Sequence, residues 1–218
     1  MIKPKPIKTY AGMLTQDEFV QYYAYLSARL KAGYSPEEVS FMIGRAPYYF
    51  VDYERMERGA RLNQYDRKIL DEIFKNKLYE QLLLAKDEFH GYQEKRFIRV
   101  NLDECGNERQ YCIHHPWLIK EKTKKSNKAI QLVETIRVIA PKDNCKIRSE
   151  IAYVLQRLKN RAFFQIPQLP YAIHFEVTKL VSRNIYPFPS ELKAVLYQLL
   201  HEGKLLLKTI EGRMHYFG

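Results

Sequence analysis

Glycine is scarce in this chain, nine in 218 residues, and none of them cluster. That excludes the glycine-rich loops whose backbone N–H groups cradle phosphates in nucleotide-binding proteins. Cysteine is scarcer still, with three copies. The odd count argues against a disulfide framework, and the basic start Met1–Lys8 is followed by no apolar stretch. No export signal is therefore expected, and a reduced, cytoplasmic setting is. No run approaches the roughly 18 apolar residues that cross a bilayer, so no membrane association is expected. Zinc is disfavoured for Cys105, Cys112, His114, His115 and Cys145, which include no Cys-x-x-Cys pair. Neither a two-histidine helical metal motif nor a nucleophile elbow is present. The expectation is a protein that is not an enzyme and needs no cofactor.

What the chain does have is positive charge and tyrosine. Lys and Arg number 36 against 25 Asp and Glu, a formal net charge of +11, and there are 17 tyrosines. Basic proteins favour polyanionic partners, because each neutralised phosphate releases condensed counterions. The excess is uneven: about +2 over residues 1–76, about −1 over 77–92, and about +5 in each of 93–146 and 147–218. Tyrosine packs like an apolar residue but keeps a wet tip, which suits core edges and contact surfaces alike. A hydrophobic content of 46% is ample for a folded core.

Residues 1–14 alternate Lys and Pro at their start and predict a basic extended arm, with Lys3 and Lys5 able to enter a DNA groove. From Asp17, residues Phe19, Tyr23, Leu26 and Leu30 repeat at helical spacing up to Gly33. Ser35-Pro36-Glu37-Glu38 reads as a capping box opening a second helix, with Val39, Met42 and Ile43 as its apolar side. A third helix is expected from near Pro47 to Gly59, with Phe50 and Tyr53 inward. Ile69, Ile73 and Phe74, then Leu78, Leu82, Ala85 and Phe89, predict a longer helical stretch. Residues 15–92 thus form a helix-turn-helix domain with a connecting helix. Residues 93–146 read as a small antiparallel β region: strands near Arg96–Val100, Gln110–Ile113 and Ala129–Ile139, a turn at Cys105-Gly106-Asn107, and a solvated basic loop from Lys120 to Lys128. Trp117 is expected as a core anchor. Over 147–218, Ile151 to Leu158, Phe175 to Val181 and Leu192 to Leu200 predict three helices, and Leu205 to Phe217 a hairpin. The fold class is mainly α with a small antiparallel β region, α+β. Helix, helix, helix, hairpin is the chain order of a winged helix.

The stretch from Tyr22 to Phe74 resembles the Cro/C1-type, phage-repressor-like helix-turn-helix family. Leu26 and Leu30, the run Ser35 to Gly44, and Glu54-Arg55 through Glu57-Arg58-Gly59 carry the likeness. Ser40 stands where the family keeps a small residue, and Gly44 supplies the left-handed turn between helices. The family's glutamate falls at Glu54 by spacing from Gly44, or at Glu57 by the local Glu-Arg-Gly string. The resemblance implies a third helix in the major groove. By position its outward residues are Arg45, Ala46, Pro47, Tyr48, Tyr49 and Asp52, and the expected DNA-contacting set takes Arg45, Tyr48, Tyr49 and Asp52 together with Arg55, Arg58 and Arg61. The set departs from the family: Arg45 replaces a buried aliphatic residue, Pro36 replaces a phosphate-touching Gln, and Asp52 would face a polyanion. In the winged-helix region Lys193, Tyr197, Gln198 and His201 would point outward from the third helix, and Lys204, Lys208 and Arg213 from the wing. The function expected is a DNA-binding transcriptional regulator on double-stranded DNA, able to act as a homodimer. The alternative is an adaptor in which both modules bind proteins.

Overall fold

A computed structural model describes residues 7–57, 61–75, 84, 93–120, 125–126, 129–138 and 140–218. Lys3, Lys5, Arg58 and the predicted connecting helix with Leu78, Leu82, Ala85 and Phe89 lie outside the described residues. The fold is α+β. Its described residues fall into two compact units, one from 1–35 and 51–137, the other from 36–50 and 138–218. The chain therefore passes between units three times.

The first unit is built on a four-stranded antiparallel sheet in the order β1-β2-β3-β6, formed by β1 (Lys8–Leu14), β2 (Arg96–Cys105), β3 (Glu108–His114) and β6 (Ile130–Thr135). Period two sends Ile98, Val100, Leu102, Tyr111 and Ile113 inward, all buried. Helix α1 (Gln16–Ala32) packs against this sheet and against α4 (Gln64–Phe74). Both helices start at a capping box, Thr15 with Glu18 and Asn63 with Asp66. Gly33 ends α1 at φ 67, which costs glycine nothing. Trp117 is buried and stacks on Phe19, ring centroids 5.1 Å apart. Each such fully buried large side chain contributes about 1.5–3 kcal/mol.

Two expectations change here. Residues 8–14, read as part of an arm, are an edge strand whose ladder to β2 runs from Lys8↔Leu102 to Leu14↔Arg96. The prolines stop at Pro6, so every N–H from Ile7 onward is free to pair, and Tyr10, Gly12 and Leu14 take the inner face. Inside the stretch read as a basic loop, β4 (Ile119–Lys120) pairs with β5 (Lys125–Ser126).

The second unit joins α2 (Pro36–Met42) to α5 (Pro141–Asn160), α6 (Pro170–Leu180), α7 (Pro189–His201) and the hairpin of β7 (Leu206–Ile210) and β8 (Arg213–Phe217). Proline opens α5, α6 and α7 in the first turn, where a missing N–H costs no bond. The core combines Val39, Phe41 and Met42 with Ile151, Leu155, Ile173, Val177, Leu192 and Leu196. Arg148 on α5 pairs with the buried Glu191 of α7. Between α5 and α6, Gln168 exchanges two backbone bonds with Tyr216, giving β8 a second neighbour opposite β7. Phe175, read as part of the inner stripe of α6, is exposed under Lys179, whose Nζ lies 3.9 Å from the ring centroid. Ile173 and Val177, one helical turn apart, hold the inner face instead, which leaves 175 on the outer one.

Candidate nucleic-acid interface

The first unit has an ionic centre. Arg29 of α1 has no exposed surface, and its Nε and Nη2 donate to the Glu54 carboxylate at 2.5 and 3.2 Å. Its Nη1 donates to Glu134 Oε1 at 2.5 Å and to the Tyr34 carbonyl at 2.7 Å. The Tyr111 hydroxyl donates to Glu134 Oε2 at 2.8 Å and receives Arg29 Nη2 at 3.1 Å. Burial alone would lower the guanidinium pKa, but Glu54, Tyr111 and Glu134 together hold it above its ordinary value. Burial pushes the Tyr111 hydroxyl up as well. Every group is charge-assisted and partnered, so the network fixes α1, the helical segment ending at Glu54 and the sheet rim in one geometry. Of the two positions for the family's glutamate, Glu54 is the buried one and Glu57 is exposed.

Helix α3 runs from Tyr49 to Glu54, six residues rather than the Pro47-to-Gly59 span expected. Ser40 Oγ accepts the Phe50 N–H at 2.9 Å while donating to the Pro36 carbonyl at 3.0 Å, tying the start of α3 to α2. Phe50 and Tyr53 are buried, as read from the spacing. Past Glu54 the backbone turns left-handed at Met56, φ 56, and the described part of the helix has ended.

The predicted contact residues divide between the units. Arg45, Tyr48 and Tyr49 belong to the second; Asp52, Arg55 and Arg61 belong to the first. Tyr48 is 67% exposed. Arg45 is half-buried, its guanidinium 5.0 Å from the Tyr49 ring centroid and its Nη1 donating to the Gly212 carbonyl at 3.1 Å. Asp52 is half-buried. Arg55 is exposed, 3.6 Å from Glu57 and 5.6 Å from the Tyr10 ring centroid. Arg61 pairs with Glu18 at 3.2 Å.

What sequence reasoning missed is the joint between the α2–α3 turn and the hairpin, both in the second unit. Met214 N–H donates to the Gly44 carbonyl at 2.7 Å, and Arg45 reaches the hairpin turn at Gly212. Gly44 has φ 73, and a Cβ there would lie 2.9 Å from the Met214 carbonyl oxygen, so glycine is needed twice over. No local signal announces this contact, since the partners are about 170 residues apart in sequence.

The C-terminal set is rearranged too. Arg213, read as a wing residue pointing outward, is buried, because it follows Gly212 on the side of β8 that packs inward near Gly44. Lys193 is half-buried, 6.0 Å from the Phe41 ring centroid and 5.5 Å from that of Tyr197. Glu38 of α2 accepts the Ser190 N–H at 3.1 Å, placing a carboxylate on the first turn of α7. Tyr197, Gln198, His201, Lys204 and Lys208 are exposed. Cys112 and His114 share a strand face, Sγ 3.5 Å from Nε2.

Comparison with protein-family models, curated proteins and solved structures finds no match for this chain.

Proposed function

We propose that this chain is a DNA-binding protein, used in transcriptional regulation, whose contact surface is the α2–α3 turn together with the β7–β8 hairpin. The observation that carries the reading is the pair of bonds from Gly44 and Arg45 to Met214 and Gly212, which makes two separately expected DNA-contacting elements one continuous surface. Tyr48 stands exposed on it, able to bond a phosphate or pack on a thymine methyl. Lys208 is exposed on the hairpin strand. Two further features support it: the Cro/C1-like pattern of caps, Ser40 and Gly44, and the winged-helix order of α5, α6, α7 and hairpin. With Arg45, its one arginine at the turn, engaged on Gly212 and Tyr49, this surface gives mainly phosphate anchoring with modest base discrimination.

A salt-titrated shift assay on random-sequence duplex DNA tests this. Binding should weaken linearly in log salt, and Tyr48→Ala should reduce affinity by about fivefold at fixed salt. Undetectable binding by the intact protein at low salt overturns the proposal.

A second reading, a protein-binding adaptor, is favoured by Glu38 on the first turn of α7, where a reading helix would meet DNA. Leu206 and Leu207, 54% and 43% exposed on β7, would then be contact residues.

A further inference from the structure

The first unit contains a cavity of about 470 Å³ that neither reading uses. Its aromatic wall is Tyr22 and Tyr53, ring centroids 6.0 Å apart and inclined at 52°. The Tyr22 hydroxyl is spent on the Glu54 carbonyl at 3.0 Å. Met56 closes one side by lying across β1, an approach open only to glycine, since a Cβ on Gly12 would sit 2.7 Å from Met56 Cβ. Leu62 adds a further apolar contact.

The polar lining is dominated by cations: Arg61, Arg67 and Lys95 against one carboxylate, Glu18. Glu18 is committed to Arg61 and to the Thr15 N–H of its own capping box. Arg67, whose charge is felt by Asp71 one turn further along α4, and Lys95 have no carboxylate partner in the lining itself. Arg67 Nε is buried with no hydrogen-bond partner among the described residues, and Lys95 forms no ion pair with them. A buried donor without a partner is a standing cost that an anionic acceptor would remove. A cavity of this size, with an aromatic and thioether wall on one side and convergent charged groups on the other, has the build of a small-molecule site.

We infer that this cavity binds an amphipathic organic anion, with a flat apolar body against Tyr22, Tyr53 and Met56 and a carboxylate-like or sulfonate-like head held by Arg67 and Lys95. The inference does not rest on the DNA-binding reading, and its test contains no DNA. The probes are 8-anilinonaphthalene-1-sulfonate and N-phenyl-1-naphthylamine, which share an apolar body and differ in the anionic head. Fluorescence titration of the intact protein should show saturable binding of the sulfonate at least about tenfold tighter than of the neutral amine. Arg67→Gln with Lys95→Gln should abolish that preference while leaving the amine's affinity unchanged. Should the double variant melt early, Lys95→Gln alone, at an exposed position, should still narrow the preference. Equal affinity for both probes, no binding of the sulfonate, or an unchanged preference in the variants would overturn the assignment.

Discussion

An arginine on an amphipathic helix ordinarily reads as a surface residue, and nothing near Arg29 in the sequence says otherwise. Its burial follows from partners at positions 54 and 134, one ending a helix and one on the last strand of the sheet. Removing it leaves two buried carboxylates facing each other. Arg29→Met should therefore cost about 3–5 kcal/mol in urea-unfolding experiments, whereas Arg55→Met, at an exposed pair, should cost less than about 1 kcal/mol. His174 is a second case of a role set by distant chain. Its Nε2 lies 2.9 Å from the Pro187 carbonyl, which can only accept, so this nitrogen carries the proton of the neutral ring. Burial holds the pKa below the ordinary 6.5. The unfolded chain then binds the proton that the folded ring refuses, so stability contributed by neutral His174 falls as pH drops through about 6.5 and is intact above it. Thermal melting should start earlier at pH 5 than at pH 7.5, and His174→Gln should flatten that part of the profile. Glu54 was only half legible, because its spacing to Gly44 and the local Glu57-Arg58-Gly59 string pointed to different residues and neither showed that Glu54 would be buried against Arg29.

At the scale of elements, legibility followed capping and length. Helices α1 and α7 carry a readable stop at Gly33 and a readable start at Pro189, and they fall where period and those signals put them, whereas the capping boxes at Thr15 and Asn63 went unread. The strands β2 and β3 were readable from alternation around the Gly106 turn, although both run longer than the core of the pattern. β1 was hidden because the Lys-Pro start dominates its composition, and β4–β5 because two residues per strand give no period to read. Helix α3 is shorter than its sequence suggested, since its length is set by Met56 turning left-handed. The α2–α3 turn offers a sharp test of element-level packing. Gly44→Ala places a methyl against a backbone oxygen that cannot move aside, in a conformation that alanine disfavours. It should destabilise the second unit by about 2 kcal/mol or more, read from the urea midpoint. Tyr48→Ala at the neighbouring exposed position should leave that midpoint within about 0.5 kcal/mol.

For the whole molecule, sequence reasoning recovers the α+β class. The boundaries it proposes follow the chain, whereas the packing assigns residues 36–50 to the unit made largely from the last 80 residues. A fragment covering 138–218 alone would lack Val39, Phe41 and Met42 from its core and the Glu38 carboxylate from the start of α7. It should give a broad, early melt by circular dichroism, and adding a peptide of residues 35–50 in trans should sharpen and raise it. Failure of the peptide to act, with a fragment already cooperative, would show that α2 is dispensable to that core. The same threading has a consequence for how the protein is made. On a translating ribosome α2 emerges with an apolar side whose partners on α6 and α7 are synthesised more than about 120 residues later. The first unit is equally held up, since the segment on either side of α2 must close around Arg29 with strands not yet made. Neither unit can finish by local zippering, so assembly waits for long-range contacts and proceeds slowly, with Val39, Phe41 and Met42 exposed to aggregation and to chaperones in the interval.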